Sequence, residues 1–87
     1  MTFANTQKSC IIIPAFNEAD TIESVCSAIS SFGKPIVVND GSTDKTELKA
    51  KKAGAIVISL KTNKGYDNAL AVGLSKAIEY EYDFAWN

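Results

Sequence analysis

The chain has 87 residues, a net charge of −1 and no histidine; 46% of its residues are hydrophobic and 22% charged. A chain of that length makes one small domain with a thin core, burying about 60–65% of its unfolded surface. The balance excludes wholesale disorder and argues against a nucleic-acid binder, which shows a basic patch. The missing histidine removes histidine triads, bases and metal sites together.

Residues 1–9 are polar and lack an apolar signal core. Cys10-Ile11-Ile12-Ile13 is a continuous, mostly β-branched run closed by Pro14, the pattern of a strand buried on both faces. Over residues 19–32 the spacing of Ile22, Val25, Cys26, Ile29 and Phe32 predicts one apolar helical face. Asn17 is its expected cap, with Glu18 and Asp20 near the positive helix end and Gly33 as the stop. Residues 35–38 (Pro-Ile-Val-Val) predict a second buried strand, and residues 39–44 are small, polar turn chemistry around Gly41.

Ser42 or Asp44 is then expected to cap a helix that runs to about residue 53 and closes at Gly54. Lys45, Lys49, Lys51 and Lys52 share that helix with acidic Glu47 and read as a solvated face. Residues 55–60 predict a third strand and residues 61–65 a loop. Residues 66–81 predict a helix burying Leu70, Leu74, Ala77 and Ile78, and residues 82–86 begin a fourth strand. Cys10 and Cys26 have neither metal nor redox spacing and read as buried free thiols of a reducing cytosol. No apolar run approaches the ~20 residues of a membrane helix.

Strands alternating with helices predict an α/β fold: a Rossmann-like parallel sheet of about four strands, helices on both faces, right-handed crossovers. Ligands of such sheets bind at the carboxyl ends of the strands. That rule selects the loops at residues 15–20 and 39–44. Each carries a carboxylate at the open sheet edge, Glu18 and Asp40, able to accept from a nucleobase N–H or a ribose hydroxyl. Plainer roles compete: Pro14 as a strand terminator, Phe16 as packing, Glu18 as a helix N-terminal charge, Tyr66 as packing. No Gly-x-Gly-x-x-Gly follows the first strand, which argues against nicotinamide dinucleotides.

The strings IIIPAFNEADTI, VVNDGSTDKT and NKGYDNALAVGLSKA, in this order and spacing, resemble family-two glycosyltransferases of the GT-A fold, especially the dolichyl- and polyprenyl-phosphate sugar synthases. The resemblance covers residues 11–86 and makes residues 1–87 a single partial domain, the donor-nucleotide part. It implies that Pro14 and Phe16 line a base pocket, that Glu18 and Asp40 contact the nucleotide, and that Val38 offers a backbone contact beside Asp40. Lys64, in the third motif, would offset diphosphate charge. Asn39 stands where the family has an aspartate, which removes an ionic role there.

The resemblance further implies a uridine- or guanosine-diphosphate sugar as donor and a polyprenyl phosphate as one acceptor. It places the protein in the cytoplasm, at the inner face of a membrane if the acceptor is lipid, with a part in cell-wall or polysaccharide synthesis. Mg or Mn is expected in the complete enzyme and none on this chain. The family's Asp-x-Asp metal motif would follow the fourth strand, and Asp83, Glu79 and Glu81 do not replace it. The chain alone is therefore expected to be inactive, with no catalytic residue of its own and an exposed last strand prone to self-association. A non-catalytic nucleotide-binding module is the alternative. A signalling receiver is the weakest reading, because Ser59-Leu60-Lys61-Thr62 stands where its acidic site would be.

Overall fold

A computed structural model describes residues 7–87; most of the polar segment read as lacking a signal core, residues 1–6, lies outside them. The elements run β1 (Ser9–Ala15), α1 (Ile22–Ile29), β2 (Lys34–Asp40), α2 (Thr46–Lys52), β3 (Ile56–Leu60), α3 (Tyr66–Glu79) and β4 (Phe84–Trp86). The strands form one parallel sheet in the order β3-β2-β1-β4. The α/β Rossmann-like fold expected from the sequence is the fold observed. Among the described residues no helix is long and apolar enough to cross a membrane.

Side chains alternate across the sheet with period two, and residue parity therefore sorts the core. Odd-numbered Ile13, Ala15, Val37 and Val57 pack with Ile22 and Cys26 of α1 and Ala50 of α2. Even-numbered Cys10, Ile12, Ile36, Val38, Ile56, Ile58 and Leu60 pack with Ala69 and Ala77 of α3. Both cysteines are free and buried, and burial pushes both thiols above their ordinary pKa.

Both central strands outrun their predicted ends. Pro14 does not terminate β1; it pairs with Val38 and lies past Ser9–Ile11, the only stretch of β1 paired with β4. Beyond that stretch no described strand pairs with β1 on that side, so the missing N–H of Pro14 interrupts no ladder bond among the described residues. Asn39 and Asp40 belong to β2 rather than to a turn, in register with Ser59 and Leu60.

The helices differ more. α1 is shorter than the predicted residues 19–32, Thr21 stands at its N-cap position, and Phe32 lies beyond it, largely exposed. α3 buries Ala69, Gly73 and Ala77, not Leu74 or Ile78, while Leu70 is half-buried. The buried trio repeats every four residues, a stripe of small side chains that lets the helix lie close to the sheet. A Cβ on Gly73 would overlap Ile12 Cγ2. β4 is the sheet edge beside β1, and all three of its residues are exposed. The lysines of α2 form the expected solvated face, with Lys51 paired to Glu47 at 3.0 Å.

Gly73→Ala tests the close approach. Alanine raises helix propensity by about 1 kcal/mol, but a β-branched neighbour is stiff, and overpacking of this kind costs about 1–3 kcal/mol. The expected result is a lower urea midpoint at unchanged slope; a raised midpoint contradicts it.

Candidate functional site

Parity also builds the site. Asp40 is even-numbered, so at the carboxyl end of β2 its side chain falls on the α3 face, above Val38. There it is only 4% exposed. A carboxylate so buried requires donors. Its Oδ1 accepts the Lys64 N–H at 2.8 Å and its Oδ2 accepts the Gly65 N–H at 2.9 Å. Gly65, at φ 97°, is the residue from which α3 departs. Asp40 thus clamps the β3–α3 loop to the end of β2. An ionised carboxyl group has about four lone-pair sites, so acceptor capacity remains.

Asn39, of the opposite parity, faces the other way. Its Nδ2 donates to Ser59 Oγ at 3.1 Å and its Oδ1 accepts the Ser42 N–H at 3.3 Å. A neutral amide satisfies both bonds in this buried position without the cost of burying a second charge beside Asp40. Gly41 follows at φ 75°, and a Cβ there would overlap the Asn63 nitrogen. Glycine here serves the turn and also admits the β3–α3 loop against it.

Between these loops opens a cleft of about 200 Å³ lined by Pro14, Ala15, Phe16, Glu18, Asp40, Asn63, Gly65 and Tyr66. It lies at the carboxyl edge of the sheet, where parallel α/β folds bind ligands. Of the six residues predicted from sequence, Pro14, Phe16, Glu18 and Asp40 meet here. Val38 is fully buried in the core beneath and does not line the cleft. Lys64 contributes its backbone N–H to Asp40, and its exposed side chain is not among the lining groups.

Tyr66, read from the sequence as packing, is a wall of the cleft. Its hydroxyl donates to Asn87 Oδ1, and Asn87 Nδ2 donates to the Ile12 carbonyl at 2.9 Å. Asn63 and Gly65 were also not anticipated as lining residues, although the third motif contains both. Phe16 is 45% exposed and Tyr66 57%, so both leave side-chain surface accessible at the cleft.

Of the side-chain caps expected from sequence, Asn17 and Ser42 have different work. Asn17 does not cap α1; it sits at φ 51° and its Oδ1 accepts the Thr43 N–H at 2.9 Å. Ser42 does not cap α2; its Oγ accepts the Asn17 N–H at 2.9 Å. Asp44 does serve the start of α2, its Oδ1 accepting the Thr46 N–H at 2.9 Å. The Thr46 hydroxyl also bonds Asp44 Oδ1. That hydroxyl, with the Thr46 and Ala19 N–H groups, holds the Asp44 carboxyl below its ordinary pKa.

These three motif strings, now folded around one cleft, match the model of glycosyl transferase family 2 over residues 10–79. The chain belongs to glycosyl transferase family 2. Its relatives include an uncharacterized protein of Methanocaldococcus jannaschii, 37% identical over 79 residues that make up 88% of this chain and 32% of that protein. The crystal structure of Mycobacterium tuberculosis glucosyl-3-phosphoglycerate synthase superposes with a TM-score of 0.70 at 34% identity, covering 82% of this chain and 31% of the other. The same synthase in complex with Mn2+, uridine diphosphate and glucosyl-3-phosphoglycerate superposes at 0.66 and 32% identity, over 79% of this chain and 30% of that one. The chain thus spans about a third of the length of these relatives. The enzyme class expected from the sequence, a glycosyltransferase of GT-A type, is the class of its family and its structural neighbours.

A divalent cation accompanies the nucleotide in that mycobacterial complex. The residues described here do not fit one: no group of three or more His, Cys, Asp or Glu is placed to hold a metal ion.

Proposed function

We propose that this chain supplies the donor site of a glycosyltransferase, holding the nucleotide of a nucleotide-diphosphate sugar in the cleft between Phe16, Glu18, Asp40 and Tyr66. The observation that carries the reading is the convergence of Pro14 at the end of β1, Phe16 and Glu18 in the loop that follows it, and Asp40 at the end of β2 on one cleft at the carboxyl edge of the sheet. Phe16 and Tyr66 offer apolar faces to a base. Glu18 and the remaining lone pairs of Asp40 accept from its N–H groups or from ribose hydroxyls. Uridine diphosphate is the favoured nucleotide, because the mycobacterial neighbours hold it. Lys64, exposed beside the clamp, is the cation nearest in sequence to the cleft and is proposed to meet the diphosphate. Val38 contributes only through the backbone beneath Asp40.

The proposed acceptor is phosphorylated. Polyprenyl phosphate is the form drawn from the sequence resemblance, and phosphoglyceric acid and glycerol 3-phosphate are named for the mycobacterial structures. The metal, Mg or Mn, and the group that activates the acceptor are assigned to the complete enzyme. Taken alone, these residues bind the donor without transferring it.

Calorimetric titration of the chain with uridine diphosphate and UDP-glucose tests this. Saturable binding without release of glucose is expected. Asp40→Ala, which strands two N–H donors, should reduce stability by about 2–4 kcal/mol and weaken the nucleotide at least about tenfold. Binding that ignores Asp40, or turnover by the chain alone, contradicts the proposal. The exposed β4 edge, carrying Phe84 and Trp86, further supports self-association of this chain through edge pairing. Sedimentation should then depend on concentration, and a sharp monomer at all concentrations contradicts that part.

A further inference from the structure

The loop after β1 has no backbone acceptors for three successive N–H groups, those of Asn17, Glu18 and Ala19. Each goes instead to a side-chain oxygen of the loop after β2 or of the first residue of α2: Ser42 Oγ at 2.9 Å, Thr46 Oγ1 at 2.8 Å and Asp44 Oδ2 at 3.2 Å. Asn17 returns a bond through its own side chain to the Thr43 N–H. The path of the first loop is therefore written in the side chains of the second.

Thr46 is the centre of this interlock. It is fully buried, and its hydroxyl has one proton. That proton goes to Asp44 Oδ1, which leaves the hydroxyl lone pairs to accept the Glu18 N–H. Asp44 in turn uses Oδ1 for Thr46 and Oδ2 for Ala19. Asn17 is held at φ 51°, a left-handed conformation that asparagine tolerates better than most residues and that persists when the surroundings enforce it. Phe16 and Glu18 flank Asn17, and both line the cleft. Neither Asp44 nor Thr46 lines it.

We propose that Asp44 and Thr46 are positioning residues of the donor site: they fix the backbone at residues 17–19 and so hold Phe16 and Glu18 in the cleft. The proposal rests on the donor-site reading for its ligand, and on geometry alone for the interlock. Substitutions that never touch the nucleotide should then weaken it.

Thr46→Val keeps the shape of the side chain and removes the hydroxyl; Thr46→Ser keeps the hydroxyl. Two readouts are taken on the full chain, uridine diphosphate affinity and, without ligand, amide hydrogen exchange at Glu18. Thr46→Val should weaken affinity about tenfold and speed Glu18 exchange by at least about tenfold, the effect of one donor left without its acceptor. Thr46→Ser should restore both to within about twofold of the parent. Unchanged exchange in Thr46→Val overturns the interlock. Faster exchange with unchanged affinity overturns the positioning role. If the parent itself does not bind uridine diphosphate, the donor-site reading fails and the positioning role with it, while exchange still decides the interlock. Should Thr46→Val not fold, exposed Asp44→Asn carries the same test at Ala19, because an amide nitrogen cannot accept that N–H.

Discussion

The carboxylate of Asp40 sits where a strand buried on both faces reaches the edge of the sheet, and the arrangement of the cleft follows from how that charge is satisfied. Removing a carboxylate from water costs several kcal/mol unless donors replace the lost hydration. Two backbone N–H groups replace it, from Lys64 and Gly65. Hydrogen bonds to a charged group contribute about 1.5–3 kcal/mol each, so the pair offsets a penalty of that order. In exchange, the β3–α3 loop is pinned to the end of β2, and Gly65 and Tyr66 become walls of the same cleft. One side chain thus closes a structural requirement and creates a binding surface.

The clamp works only because α3 can come close enough. Ala69, Gly73 and Ala77 present almost no side-chain bulk to the sheet, and Ile12 fills the space a Cβ on Gly73 would occupy. Gly41 makes the corresponding allowance at the loop, where a side chain would collide with the Asn63 backbone. Small residues on the helix and at the turn set the height of the cleft, while the interlock of residues 17–19 with residues 42–46 sets its opposite rim. The cleft is therefore built from three loops whose mutual contacts are mostly side chain to backbone. Such bonds are specific to residue type, which explains why the sequence carries uncommon strings at these places and ordinary apolar runs elsewhere.

Period-two and helical patterns make the elements legible: the four strands and three helices of the described residues lie within a few residues of their predicted bounds. Pro14 and the polar pair Asn39-Asp40 concealed the true ends of β1 and β2, since a proline and two polar residues read as breaks. On α3 hydrophobicity marks burial only in part: Ala77 is buried and Leu70 half-buried as the pattern predicts. Close packing against a sheet instead selected the smallest residues and left Leu74 and Ile78 exposed. At the site, residue chemistry identified Glu18 and Asp40, and the structure brings them to one cleft. Its other half was hidden: Asn17 and Ser42 resemble helix caps in one dimension, and only the spatial meeting of two loops shows each satisfying the other.

The central claim is that one cleft, bounded by Glu18 and Asp40, receives a nucleotide. Backbone amide chemical shifts recorded during a titration with uridine diphosphate test it most directly. The account predicts saturable shifts concentrated at residues 15–18, 40–41 and 63–66, with the solvent face of α2 silent. Shifts that cluster on the lysines of α2, or that spare the Glu18 and Asp40 rims, would contradict it.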